Sequence, residues 1–181
     1  MKRVVQPFGN AIVQLRLIAE ADLDMTMSWR NCDDVRVWFK NSQAITLEQH
    51  RAWFFRYSAK DDDFLFIVEA GDRPVGQASV YGIDWVDGVA EVGRFLVAPE
   101  AGGRGYIGHA CAELLQFCQD TLNLKSVFLE VKGDNERAIK IYARNGFREE
   151  ARAEGMIRMS RSLKKDLARS AYADETANRG R

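Results

Sequence analysis

Two stretches of this chain carry residue types that could do chemistry. In the first, Ala101-Gly102-Gly103-Arg104-Gly105-Tyr106-Ile107-Gly108, glycines recur where a backbone could take positive φ and come close to a ligand. Ile107, Ala110, Cys111, Leu114, Leu115 and Cys118 follow at helical spacing, so this loop opens a helix. A helix start offers free N–H groups and a partial positive charge, which suits a phosphate or pyrophosphate. The same glycines would also serve a tight strand-to-helix connection, because left-handed positions and close packing need Gly too. Gly103-x-Gly105-x-x-Gly108 matches the dinucleotide fingerprint literally, but the preceding strands read as antiparallel and no clear acidic partner follows the next strand. A P-loop would require Gly-Lys-Ser/Thr after its glycines.

The second stretch pairs a strand, Val127 to Val131, with a short helix from Asp134 that ends at Gly146. Asn135 and Tyr142 are two helical turns apart, so both can face one groove alongside Ala138. Out of context, Asn135 reads as an N-cap and Tyr142 as a core aromatic. Between the hairpin and the loop lies Glu91, a strand carboxylate that could take a proton through water or could pair with Arg94 on an exposed face. Tyr81 and Asp84 lie nearby in sequence, and His109 is expected to pack or face solvent.

The two stretches together resemble the GNAT superfamily of acetyl-CoA-dependent N-acetyltransferases. The resemblance is carried by Val131-x-x-x-Asn135-x-x-Ala138-x-x-x-Tyr142-x-x-x-Gly146-Phe147 following the glycine-loop helix, and it extends from about Leu15 to Leu163. It implies a GNAT fold and acetyl-CoA as cosubstrate. The loop Gly102, Gly103, Arg104, Gly105, Tyr106, Ile107 and Gly108 would hold the pyrophosphate, and free backbone at Phe95, Leu96 and Val97 would pair with the pantetheine arm. Asn135, with Ala138 beside it, would bind that arm, Tyr142 would protonate the departing thiolate, and Glu91 would act as base. The family's loop usually reads Arg or Gln, two residues, Gly, one residue, then Gly or Ala. With its first Gly at Gly105, Gly102 stands at the basic position and Ile107 at the last, which leaves Arg104 to supply the charge.

The acceptor is expected to meet the first third of the chain. Trp29-Arg30-Asn31, Val35-Arg36, Ile45 and Glu48 to Phe54 resemble the branch that acetylates nucleotide-linked amino sugars, especially 4-amino-4,6-dideoxy sugars. They share much with the branch acting on ribosomal-protein N-termini. Arg30, Arg36 and His50 could meet a diphosphate, Trp29, Trp38 or Trp53 could stack on a base or sugar, and Tyr81 could line the acceptor cleft. Equally, the tryptophans could be core and the arginines surface. The alternatives are an acetyltransferase for a protein N-terminus or a small polyamine, and an acyl-CoA-binding sensor without turnover. An intact Tyr142 argues against the sensor.

These side chains need a scaffold, and length bounds it: 181 residues make one domain with a sizeable core. The expected order is a strand from Ala11 to Leu17, helices opening near Ala21 and after Thr46 with a short helical piece between them, and a hairpin from Phe64 to Ile83. The central strand, loop helix, strand and helix follow, then a last strand within Ala153 to Leu163. Thr46 and Gln49 form a capping box, and Asp61-Asp62-Asp63 reads as a solvated turn. The class is α+β, with a mixed, mostly antiparallel sheet and helices on both faces. Residues 1–163 form the acetyltransferase domain and 164–181 a polar tail. Net charge is zero, from 26 basic and 26 acidic residues, so no nucleic-acid or membrane partner is expected, only acetyl-CoA and a small amine, with a homodimer left open. No apolar run spans a bilayer and Met1 to Pro7 lacks a signal-peptide core, which predicts a cytoplasmic protein. Three cysteines without Cys-x-x-Cys spacing read as free thiols, and two distant histidines suggest no metal site.

Overall fold

Phe64-Leu65-Phe66-Ile67-Val68 has no polar alternation, so a strand built from it must be covered on both faces. The computed structural model describes residues 2–39 and 41–163; the predicted tail lies outside them. The chain runs through β1 (Phe8–Gly9), β2 (Gln14–Leu17), α1 (Leu23–Asn31), α2 (Asp33–Arg36), α3 (Leu47–Ala59), β3 (Asp63–Ala70), β4 (Arg73–Asp84) and β5 (Val89–Val97). It continues through α4 (Tyr106–Asp120), β6 (Ser126–Lys132), α5 (Glu136–Arg144), β7 (Arg148–Ala153) and β8 (Met156–Ser162). The strands form one sheet in the order β1-β2-β3-β4-β5-β6-β8-β7. β5 and β6 run parallel and the other neighbouring strands among the described residues antiparallel.

The alternation along β3 shows the layering. Phe64, Phe66 and Val68 enter the larger core, which includes Leu114, Phe117 and Cys118 of α4, whereas Leu65 and Ile67 join Ile18, Leu23 and Tyr57 beneath α1 and α3. This is the expected mixed sheet with helices on both faces. The Thr46 box closes as expected, with the Thr46 hydroxyl accepting from the Gln49 N–H and the Gln49 side chain accepting from the Thr46 N–H. Cys111 and Cys118 are buried free thiols on α4, and burial pushes the Cys111 thiol up to about 12.

Three expectations need correcting. A short β1 precedes the first expected strand, pairing Phe8 with Leu15. The last strand is a hairpin: β7 was hidden because Arg148 to Ala153 is exposed at every position and pairs, among the described residues, only with β8, so burial imposes no alternation on it. Glu154 and Gly155, both at positive φ, make its turn. Finally, Asp63 is not in a solvated turn. It opens β3, is 3% exposed and forms an ion pair with Arg94.

Candidate active site

The site exists because two parallel strands part. β5 pairs with β6 only from Val89 to Glu91, opposite Ser126 to Phe128. Beyond that point the β6-facing backbone of Val92 to Val97 has no strand partner among the described residues, and a cleft of about 880 Å³ opens, lined by these residues and by Leu129 to Lys132 of β6. On its other edge β5 also changes register, slipping against β4 between Gln77 and Ser79. This bulge places Arg94 at φ 51°, and the side chains of Gln77 and Ser79 donate to the carbonyls of Arg94 (3.2 Å) and Gly93 (3.1 Å).

One end of the cleft meets the start of α4. Gly103 (φ 80°) and Gly105 (φ 77°) take left-handed conformations, and Gly105 is the N-cap of α4, whose first turn holds no acidic residue. A Cβ added at Gly103, Gly105 or Gly108 would project into open space, so the glycines form a cradle of bare backbone. Tyr106, Ile107, Gly108 and His109 line the cleft, His109 contrary to expectation, whereas exposed Gly102 and Arg104 do not. Phe95, Leu96 and Val97 line the same end, with the Leu96 side chain buried in the core.

α5 supplies the wall opposite. Asn135 caps this helix, its Oδ1 accepting from the Ala138 N–H at 3.1 Å, and Asn135, Ala138 and Tyr142 face the cleft as their spacing implied, with Ile141 beside them. Tyr142 is 9% exposed and packs against Phe95 and Phe147, with ring centroids 5.5 and 6.0 Å away. Its hydroxyl makes no hydrogen bond to the described residues, and burial, then the neighbouring Cys111, push the phenol above its ordinary range. A buried phenol kept protonated beside an open cleft can give up a proton only to something in that cleft. The bare cradle, the unpaired strand backbone and this phenol fit acetyl-CoA, whose pyrophosphate, amide arm and thioester need an anion site, hydrogen-bonding backbone and a proton donor.

At the other end the walls are side chains. The Tyr81 hydroxyl donates to Glu91 Oε1 at 2.6 Å, and burial, then that bond and the charge of Glu91, raise the Tyr81 phenol. Arg30 lines this end, its guanidinium 4.1 Å over the Phe39 ring; Nη2 donates to the Asn41 carbonyl, while Nη1 is buried with no partner among the described residues. Burial, then Arg36, hold the Arg30 pKa below its ordinary value. Asp34, Val35, Trp38, Phe39 and Asn41 complete the wall, of which the sequence pointed to Trp38 and, within the Val35-Arg36 pair, Val35. The structure does not bring the other foreseen acceptor residues here. Trp29 is buried in the larger core, Arg36 pairs with Asp33 and donates to the Ser42 carbonyl, and His50 stacks on Trp53 and bonds Thr26 at 3.0 Å. Asp34 and Phe39 carried no signal, because a short helix and the loop after it have no periodicity that says which way they face. Among the described residues no group of three or more His, Cys, Asp or Glu could hold a metal ion, and no helix is long and apolar enough to cross a membrane.

Comparison with known proteins agrees with this geometry. The profile of the Acetyltransferase (GNAT) domain family matches residues 13–148. The chain is 31% identical over 117 residues, 61% of its own length, to an uncharacterized N-acetyltransferase of Methanocaldococcus jannaschii, of which it spans about half (51%). It is 27% identical over 136 residues to the spermidine N(1)-acetyltransferase of Escherichia coli K12, covering 75% of this chain and 72% of that one. In fold it matches the crystal structure of spermidine N-acetyltransferase from Vibrio cholerae in complex with CoA and spermine, with a TM-score of 0.78 at 21% identity over 85% of this chain and 97% of that one. The parted strands, the glycine cradle and the match across most of the described residues have one meaning: the chain belongs to the GNAT family of N-acetyltransferases, which take their acetyl group from acetyl-CoA.

Proposed function

We propose that residues 1–163 act as one N-acetyltransferase domain that moves the acetyl group of acetyl-CoA onto a small primary amine of the polyamine type. The observation that carries this reading is the parting of β5 from β6 after Glu91, which joins a bare-backbone end to a side-chain end in one cleft. The N–H groups of Gly103, Gly105 and Gly108 hold the pyrophosphate at the α4 N-terminus. The backbone of Phe95, Leu96 and Val97 and the Asn135 side chain hold the pantetheine arm, which brings the acetyl thioester into the cleft. Glu91, oriented by the Tyr81 hydroxyl, takes the proton from the amine directly or through water. The amine nitrogen, now neutral, forms its bond to the acetyl carbon as the carbon–sulfur bond breaks; Tyr142 gives its proton to the sulfur, and the nitrogen sheds its surplus proton back to the Tyr142 oxygen through water. The products are the N-acetylated amine and free CoA.

A polyamine suits the acceptor end because the carboxylates of Asp34 and Glu91 and the ring faces of Trp38, Phe39 and Tyr81 attract a cationic amine. A specific observation favours a second reading. The buried Nη1 of Arg30, without a partner among the described residues, is a ready partner for a phosphate or carboxylate oxygen, as on a nucleotide-linked amino sugar, although Arg36 and His50 point their interactions elsewhere. Acetyl-CoA turnover across spermidine, nucleotide-linked 4-amino sugars and N-terminal peptides decides between them. The first reading expects the highest kcat/KM with spermidine, and a higher value with the sugar nucleotide or a peptide replaces it. Tight CoA binding without turnover of any amine would make the protein a sensor.

A further inference from the structure

Arg94 sits in the middle of β5 at φ 51°, a conformation that L residues rarely adopt and keep only where their surroundings hold them in it. Its guanidinium makes a two-pronged ion pair with buried Asp63, Nη1 to Oδ1 at 2.7 Å and Nη2 to Oδ2 at 3.1 Å. The same guanidinium lies 4.1 Å over the Tyr81 ring. The Gln77 and Ser79 bonds to the Arg94 and Gly93 carbonyls replace the ladder bonds lost at the bulge. Gly93 fits this corner because a Cβ there would stand 2.9 Å from the Tyr81 hydroxyl oxygen. Arg94 therefore lies where the two halves of the cleft join: Glu91 precedes it, the unpaired backbone of Phe95 to Val97 follows it, and Tyr81 touches both Arg94 and Glu91.

We propose that the Asp63–Arg94 pair is a latch that sets the position of one half of the cleft relative to the other. By holding the strand in its left-handed bulge it aims the backbone of Phe95 to Val97 at the donor arm while keeping Tyr81 and Glu91 beside the amine. Arg94 and Asp63 are positioning residues in this account. The latch rests on the assignment of the β5 backbone to the coenzyme.

An ion pair that served stability alone would lower the melting temperature and leave turnover per folded molecule unchanged. The test compares two double variants of the full chain, Asp63→Asn with Arg94→Ala and Asp63→Asn with Arg94→Gly. Both lack the guanidinium, but only glycine takes positive φ without strain. Melting curves normalise for folded protein, calorimetry gives CoA affinity, and kinetics with the best amine of the panel give kcat and KM. The alanine variant is expected to lose about 30-fold in kcat, since displacement of reacting groups by an ångström can cost more than that. Its CoA affinity should fall less, by about three- to tenfold, because the backbone that meets the pantetheine arm loses its aim while the pyrophosphate site is untouched. The glycine variant should recover roughly tenfold of the lost kcat. Equal kcat in the two variants, or wild-type kcat in both, overturns the latch. Should the alanine variant not fold, Arg94→Lys keeps the charge without the two-pronged geometry and is expected to lower kcat; unchanged kcat there also overturns it. If the wild-type protein fails to bind CoA at all, the coenzyme assignment falls, and the latch with it.

Discussion

At one end of the cleft, Gly103 and Gly105 present backbone at the start of α4 and Val92 to Val97 leave one backbone edge unpaired; at the other, Arg30, Asp34, Trp38, Phe39, Tyr81 and Glu91 present side chains drawn from α1, the segment around α2, β4 and β5. The backbone end needs only a glycine pattern, a strand and two helix starts, all set by short-range sequence. The side-chain end needs distant segments to arrive together. Recognition through backbone tolerates change in side chains, whereas recognition through side chains is remade whenever one segment shifts. On the proposed reading, the donor end can therefore stay the same while side chains change, and the acceptor end cannot.

Substitutions that strike one end and spare the other sharpen this contrast, and the largest effect is expected at Tyr142. Tyr142→Phe should lower kcat about 100-fold, the scale of a lost general acid, with CoA affinity nearly unchanged in calorimetry. Equal turnover would hand the proton to water. Because burial raises the Tyr142 phenol above its unfolded value of about 10, it stays protonated below that pH. The kcat profile should then rise as amine and base lose their protons and show no descending limb from Tyr142 up to about pH 10. A limb near pH 9 that vanishes in Tyr142→Phe would contradict this.

Next in size is Gly105→Val, which places a β-branched residue at φ 77° and distorts the cradle. CoA affinity should fall roughly 30-fold, the cost of a backbone strain of this kind, while KM for the amine stays within a factor of about two. If the amine suffers more than CoA, the two ends are not separate. Arg30→Ala gives the mirror test. It should raise KM for an amine that carries phosphate about tenfold and leave CoA affinity alone. Spermidine should not lose affinity to the same change, and a matching loss would show Arg30 to be structural.

The smallest effect belongs to His50, outside the cleft. Thr26 spends its hydroxyl proton on the Asp22 carbonyl, so Nε2 of His50 donates to Thr26, and burial lowers the imidazole pKa. A lowered folded pKa means that the unfolded chain binds the proton more readily. Stability is then fully present above the unfolded value of about 6.5 and is lost as pH falls through it toward the folded pKa. His50→Gln should flatten the loss of melting temperature between pH 7 and 5 by about 2 °C, with kcat/KM unchanged at pH 8. A changed kcat/KM would return His50 to the acceptor site.

Much of the lining at the proposed donor end was legible in the residues themselves. Asn135, Ala138 and Tyr142 face the cleft because a helix repeats every 3.6 residues, and Gly105 begins α4 because helical spacing starts just after it. Glu91 and Tyr81 were each legible as cleft candidates, but their bond was not, since it depends on the register between β4 and β5. β7 escaped notice because an edge strand exposed at every position needs no hydrophobic pattern.

Local chemistry in the sequence determined the glycine cradle, the spacing of Asn135 and Tyr142, the capping box of α3 and the alternation of helices with an apolar sheet. Each of these depends on residues within a few positions of one another. Only the tertiary structure decided that β5 leaves β6 after Glu91, that Asp63 is buried against Arg94, and that Arg30 enters the cleft while Arg36 and His50 do not. The physical reason is that pairing and burial at these positions join segments far apart in the chain, and their energies depend on which partner arrives, a choice no single segment encodes.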